Sequence, residues 1–216
     1  MASLVLHNYF RSSTSIRVRV ALNLKGLDYA YVAHHLRRGE HRGEAYRAVN
    51  RQMLVPSLQL EDGTVLTQSL AIIEYLDEVY PKSPLLPAGA TARARVRAIS
   101  QAIACEIHPL NNLRVLNDLR SRFGADDAVV RDWFRHWVAE TFAPLDEMLA
   151  GDPATGTFCH GDRPSMADAC LFAQVISNRR FDVAMDPYPT IRRIFETCAA
   201  EPAFARAEPA KQPDAE

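Results

Sequence analysis

Apolar residues recur along this chain with two different periods, and the change from one to the other falls near residue 90. Leu4-Val5-Leu6 predicts a strand, and the turn Ser12-Ser13-Thr14-Ser15 follows it. Ile16, Val20 and Leu24 then recur at helical spacing with Ala21 beside them, so a helix is expected whose apolar stripe packs inward while Arg17, Arg19 and Lys25 lie off it. Tyr29-Ala30-Tyr31-Val32 has the aromatic and β-branched content of a second strand, and strand–helix–strand order implies a parallel pair. Glu44 to Val49 predicts a short helix ending at Asn50. Leu54 to Leu60 and Thr64 to Leu66 flank Glu61-Asp62-Gly63, a hairpin signal. Ser69 is expected to cap an amphipathic helix through Leu70, Ile72, Ile73, Leu76 and Val79.

Pro81, Pro84 and Pro87 exclude regular helix from Tyr80 to Ala90, the composition of a linker. Beyond it only helical periods remain. Val96, Ile99, Ile103 and Ile107 form one stripe up to Pro109, which should kink or split the helix before Leu110, Leu113, Leu116 and Leu119 resume it. A second long helix runs from Val129 to Leu149, with a bend expected at Pro144. A third opens at Ser165, with Asp168 three residues on in a capping-box relation, and continues through Leu171, Val175 and Ile176. Ile191 to Ala199 closes the helical part, and Glu208 to Glu216, rich in Pro, Ala and charge, reads as a loose tail.

Composition narrows the class. The 216 residues are 48% hydrophobic, enough to bury a sizeable core. Lys and Arg number 25 against 26 Asp and Glu, a formal net charge of −1 without long like-charge blocks, so neither nucleic acid nor membrane is an expected partner. Cys105, Cys159, Cys170 and Cys198 are widely spaced with no CxxC, which fits reduced, structurally buried thiols in a cytoplasmic protein and no metal site. No leader-like segment opens the chain, and no apolar run approaches membrane-spanning length.

The chemistry concentrates at the first helix start. One side-chain cap suffices for a helix, so three serines and a threonine beside free N–H groups and the positive end of a dipole form a place that stabilises an anion, particularly a thiolate. An ordinary N-cap in a serine-rich loop is the plainer reading of the same residues.

Taken together, Ser-Ser-Thr-Ser-x-Arg-Val-Arg-Val-Ala-Leu, Leu-Val-Pro, Gln-Ser-Leu-Ala-Ile-Ile-Glu-Tyr-Leu and Ser-Met-Ala-Asp resemble the zeta-class glutathione transferases over nearly the whole chain. The resemblance implies an α/β plus all-α protein: a thioredoxin-like N-terminal domain (1–82), a helical C-terminal substrate domain (88–216), a homodimer, and a glutathione site at the domain boundary. It assigns Ser12 to the glutathione thiolate, with Arg11 and Thr14 beside it in the catalytic turn. Val55 would pair its backbone with the peptide, with Pro56 as a cis residue. Ser13, Gln52, Gln68, Ser69, His108 and Asn112 complete the expected glutathione contacts, Gln68 and Ser69 at the γ-glutamyl carboxylate. Thr14 departs from the class pattern, which has cysteine there; a hydroxyl cannot resolve a mixed disulfide, so the substitution favours an isomerase over a reductive dehalogenase.

Isomerising a cis-enedioyl acid requires a temporary single bond, which a thiolate supplies by adding and then leaving. A thiol of pKa about 8.5 is only about 3% ionised at pH 7, so lowering it by about two units, roughly 2.7 kcal/mol, makes thiolate the major form. The substrate is a dianion, and Arg11, Arg114 and Arg180, with Arg179 as the neighbouring alternative, are the candidate carboxylate contacts. The expected activity is glutathione-dependent isomerisation of maleylpyruvate or maleylacetoacetate in aromatic catabolism. A general conjugating transferase and a non-catalytic binding module of the same fold are the alternatives.

Overall fold

The computed structural model describes residues 4–216; residues 1–3 of the expected N-terminal domain lie outside it. The chain forms two compact units, one reaching to Leu86 and joined by Ala199–Glu216, the other Pro87–Cys198.

In the first unit, β1 (Leu4–Asn8) runs parallel to β2 (Tyr29–Ala33), with α1 (Ser13–Lys25) as the crossover. Beyond α2 (Glu44–Val49), β3 (Ser57–Gln59) and β4 (Val65–Thr67) form the expected hairpin, and Gly63 takes the positive φ of 86° that its turn needs. β3 is antiparallel to β1, so the sheet order is β2-β1-β3-β4. α3 (Ser69–Val79) follows the hairpin. This βαβ–ββα order around a mixed four-stranded sheet is the thioredoxin-like arrangement.

Four expectations for this unit change. Arg17, Arg19 and Lys25 are buried, because α1 is covered on the sides that its apolar stripe left open. Lys25 Nζ donates to Asp77 Oδ1 at 2.9 Å and to the carbonyls of Tyr80 (2.9 Å) and Ser83 (3.3 Å), and Arg19 donates to main-chain carbonyls including that of Ala207. Burial of a cation requires such a complete set of acceptors. The segment expected to be a loose tail is bonded into the unit, and Ala199–Glu216, expected in the helical domain, group with this unit. Ser69 is the first residue of α3 rather than its cap, since Gln68 occupies that place with φ 68°.

The second unit is helical throughout: α4 (Ala90–Gln101), a π-helical turn Ala102–Ile107, α5 (Leu113–Phe123), α6 (Asp127–Gly151), α7 (Met166–Asn178) and α8 (Pro189–Ala200). Pro109 splits the long helical period as its missing N–H requires, and Asn112 caps the restart. α6 continues through Pro144. On the resumed stripe only Leu116 is buried, and Val129 and Met148 of α6 are exposed. α7 is buried almost all round, so it forms the centre of this unit. Its start is the expected capping box: Asp168 Oδ2 accepts from Ser165 N (2.8 Å), while Oδ1 accepts from Cys159 N (2.7 Å). Cys159, Cys170 and Cys198 are buried, and burial pushes the Cys159 thiol up; Cys105, expected to be buried, is exposed on the π-helical turn.

Candidate functional site

In the first unit the site starts at the turn between β1 and α1. Ser12 is the N-cap, its Oγ accepting from Ser15 N at 3.3 Å. Thr14 Oγ1 donates to the carbonyl of Val55 at 3.0 Å and lies 2.8 Å from Ser12 Oγ. A carbonyl only accepts, so Thr14's single proton is committed and Ser12 is the donor in the contact between them. Ser13 is buried in the first turn of α1, whereas Arg11 is partly exposed with its guanidinium 4.8 Å from the Phe10 ring centre.

The Val55-Pro56 peptide is cis, as the resemblance implied. The loop leading to it is fixed by groups with no obvious sequence signal. Tyr46 Oη donates to Leu54 O (2.6 Å), and Asn50 Nδ2 donates to the same carbonyl (2.9 Å) and to Ser57 Oγ (3.0 Å). Behind them the Tyr46 ring lies 4.0 Å from that of His34, whose Nε2 is 3.0 Å from His7 Nδ1. Burial lowers the pKa of both imidazoles, His34 to about 4, and His7 adds to the lowering at His34.

The third piece is the start of α3. Gln68 Nε2 and Gln52 Oε1 are 3.5 Å apart, so these two expected contacts are adjacent. The left-handed backbone at Gln68 costs a non-glycine residue roughly 1–3 kcal/mol, a cost found where a turn serves a site. Ser69 Oγ accepts from Arg17 Nη1 at 3.4 Å. Its own proton therefore remains available to donate, with a guanidinium behind it. Arg17 was missed because helical spacing placed it away from the apolar stripe. These contacts link the starts of α1 and α3 and the Val55 loop into one cluster, composed of donors suited to an anionic peptide.

The remaining expected residues belong to the second unit. His108 Nε2 accepts from Asn112 Nδ2 at 3.3 Å, while Asn112 Oδ1 accepts from Arg114 N at 3.1 Å. Arg114 is exposed on the first turn of α5, and Arg179 and Arg180 are exposed at the end of α7. The arginine-bearing segments rest on one turn of α6. Trp133 Nε1 donates to Leu110 O (2.9 Å), Asn111 Nδ2 to Phe134 O (3.1 Å) and Arg135 Nε to Phe181 O (2.8 Å); the Phe134 and Phe181 rings stack at 3.8 Å. Arg179 lies over Phe195, 5.0 Å from its centre, and Arg180 over Phe181 at 5.6 Å, so different rings hold the two side chains.

Comparison with known proteins agrees with the fold. The family profile for the glutathione S-transferase N-terminal domain matches residues 11–79. A maleylpyruvate isomerase from a Ralstonia species is 49% identical over 209 residues, 97% of this chain and 98% of the relative. A maleylacetoacetate isomerase from Pseudomonas aeruginosa is 48% identical, covering 97% of each. Among solved structures, the holo form of a maleylpyruvate isomerase described as a bacterial zeta-class glutathione transferase superposes with a TM-score of 0.96 at 48% identity, over 98% of this chain and 100% of that one. The protein belongs to the glutathione transferases, and within them to the zeta class that includes the maleylpyruvate and maleylacetoacetate isomerases.

Proposed function

We propose that this protein is a glutathione-dependent cis–trans isomerase of a maleyl-type keto diacid, maleylpyruvate or maleylacetoacetate, acting as a cytoplasmic homodimer. The observation that carries the reading is the Ser12–Thr14–Val55 arrangement, with a hydroxyl at position 14 where redox chemistry would need a thiol. When bound, glutathione supplies a thiolate that adds to the activated carbon, lets the former double bond rotate, and leaves unchanged. Ser12 and the first turn of α1 stabilise that anion. Val55 pairs with the peptide backbone, with Ser13 beside it, and Gln52, Gln68 and Ser69 take the γ-glutamyl end, where Ser69 donates. His108 and Asn112 are assigned to the remaining glutathione contacts. Arg11, Arg114 and Arg180 bind the substrate carboxylates and the charge that develops during addition.

No described helix is long and apolar enough to cross a membrane. An isomerase assay with thiol titration tests the reading: the cis acid should be consumed with no net loss of glutathione. Stoichiometric loss of glutathione overturns it in favour of a conjugating transferase. Light scattering at micromolar concentration should give the mass of a dimer, and a monomer mass overturns that part.

A further inference from the structure

The last ten residues enter neither the proposed chemistry nor the apolar pattern, yet they attach to the turn that carries Arg11 and Ser12. Phe10 N–H donates to Asp214 Oδ2 at 3.1 Å, and Phe10 C=O accepts from Arg19 Nη2 at 2.9 Å. Both main-chain groups of a residue two positions before Ser12 are thus held from outside the turn. The holders are themselves held. The other carboxylate oxygen of Asp214 accepts from the Tyr31 hydroxyl on β2, and Arg19, fully buried, also donates to Asn8 Oδ1 (2.9 Å) and to Ala207 O through Nη2 (2.9 Å).

The rest of the segment is equally tied. Gln212 Nε2 donates to the carbonyls of Arg206 (2.7 Å) and Glu208 (2.8 Å), and Glu216 pairs with the Arg38 guanidinium and with His35 Nε2. Within the turn itself Ser12 N donates to Tyr9 O at 3.0 Å, and Tyr9 N donates to Ser15 Oγ at 3.4 Å.

We propose that residues 207–216 are a strap that positions the catalytic turn, and that Asp214 is a positioning residue acting through the Phe10 amide. The inference rests on the isomerase reading for its catalytic consequence, but not for the strap itself. A charged acceptor on one side of Phe10 and a charged donor on the other fix the height of the turn above the start of α1. Ser12 and the first N–H groups of α1 serve a bound thiolate only at one separation, and a displacement near 1 Å at a reacting centre costs on the order of a hundredfold in rate.

The test uses the full chain, Asp214→Ala, Asp214→Asn, and a chain ending at Gln212. Amide hydrogen exchange at Phe10 is read without ligand; the pH of thiolate formation in bound glutathione is read by ultraviolet absorbance, and kcat separately from KM. Asp214→Ala and the shortened chain should exchange the Phe10 amide about tenfold faster or more. They should also ionise bound glutathione at higher pH and lose about tenfold in kcat. Asp214→Asn should recover most of each, because its one amide oxygen can take the place of Oδ2 opposite Phe10 N while its Nδ2 donates to the Tyr31 hydroxyl. A folded Asp214→Ala with unchanged Phe10 exchange and an unchanged thiol titration overturns the proposal. If that variant does not fold, Tyr31→Phe, which releases the second oxygen of Asp214, takes the same readouts: faster exchange supports the strap and unchanged exchange overturns it. If the unaltered protein neither binds glutathione nor isomerises, the functional reading fails, and the exchange measurement still decides the strap.

Discussion

Thr14 and Val55 are joined by one hydrogen bond, from the threonine hydroxyl to the valine carbonyl across 3.0 Å, and this bond orders the protons of the turn. With Thr14's proton committed, Ser12 donates to Thr14 at 2.8 Å while accepting from Ser15 N. The serine that would serve a thiolate is engaged by its neighbour and must release that bond to donate elsewhere. Ser12→Ala should raise the pH at which bound glutathione ionises and lower kcat/KM by about a hundredfold. Thr14→Val should do the opposite to the thiol, lowering its ionisation pH, because the competing acceptor is gone. Ultraviolet titration of the two complexes checks this, and an unchanged titration in Ser12→Ala would remove Ser12 from the thiolate.

Arg114 and Arg180 lie on segments anchored to the same turn of α6, at Trp133, Phe134 and Arg135. Replacing either by Ala should lower kcat/KM by about tenfold to a thousandfold, roughly 1.5–4 kcal/mol, with glutathione affinity nearly unchanged. Arg180→Lys should restore only part, since an ammonium lacks the guanidinium's planar fork. Steady-state kinetics beside calorimetry of glutathione binding separates the two effects; variants with full activity would exclude the carboxylate contacts.

The His7–His34 pair sets an acid limit. One nitrogen must accept in their 3.0 Å contact, so the pair cannot be doubly protonated without breaking it. Burial is the larger cause of both lowered values, opposed by Gln59 at His7 and by Glu40 at His34, while His41 adds to the lowering at His34. Because the folded values lie below the unfolded 6.5, the unfolded chain binds more protons as pH falls. Stability is therefore complete above about pH 6.5 and is lost as pH drops toward about 4, where His34 titrates in the folded state. His34→Gln should flatten the dependence of melting temperature on pH across that window. An unchanged slope would show that the pair does not control it.

A Cβ at Gly156 would meet the Gly161 carbonyl oxygen at 2.5 Å and Asp162 Oδ1 at 2.7 Å, whereas one at Gly151 would meet nothing within 4 Å. The Gly156 carbonyl also accepts from Arg193 Nη2 at 3.0 Å, so the backbone is not free to withdraw. Gly156→Ala should cost about 1–3 kcal/mol, a fall of several degrees in melting temperature, while Gly151→Ala should leave it unchanged or slightly raised. Thermal unfolding of the two variants tests the contrast.

Local pattern was enough for most of the elements. The α1 stripe, the Asp62-Gly63 hairpin, the break at Pro109 and the Ser165–Asp168 box each depend on residues within one or two turns of each other, which is the range over which periodicity, turn chemistry and capping act. The hydroxyl cluster was legible for the same reason, whereas the cis peptide at Val55-Pro56 was implied only by the family resemblance.

What only the tertiary structure decided is how distant segments satisfy one another. Helical spacing says which side of α1 is apolar, but cannot say that Ala207 would return to accept from Arg19, or that Tyr80 and Ser83 would complete the acceptors of Lys25. Buried cations require such partners, and those partners are main-chain carbonyls, which every residue type carries and which leave no mark in the sequence. The same holds for Asp214 at Phe10 and for Tyr46 and Asn50 at Leu54: the acceptors and donors of a peptide bond are the same along the whole chain, so where they meet is decided by the fold.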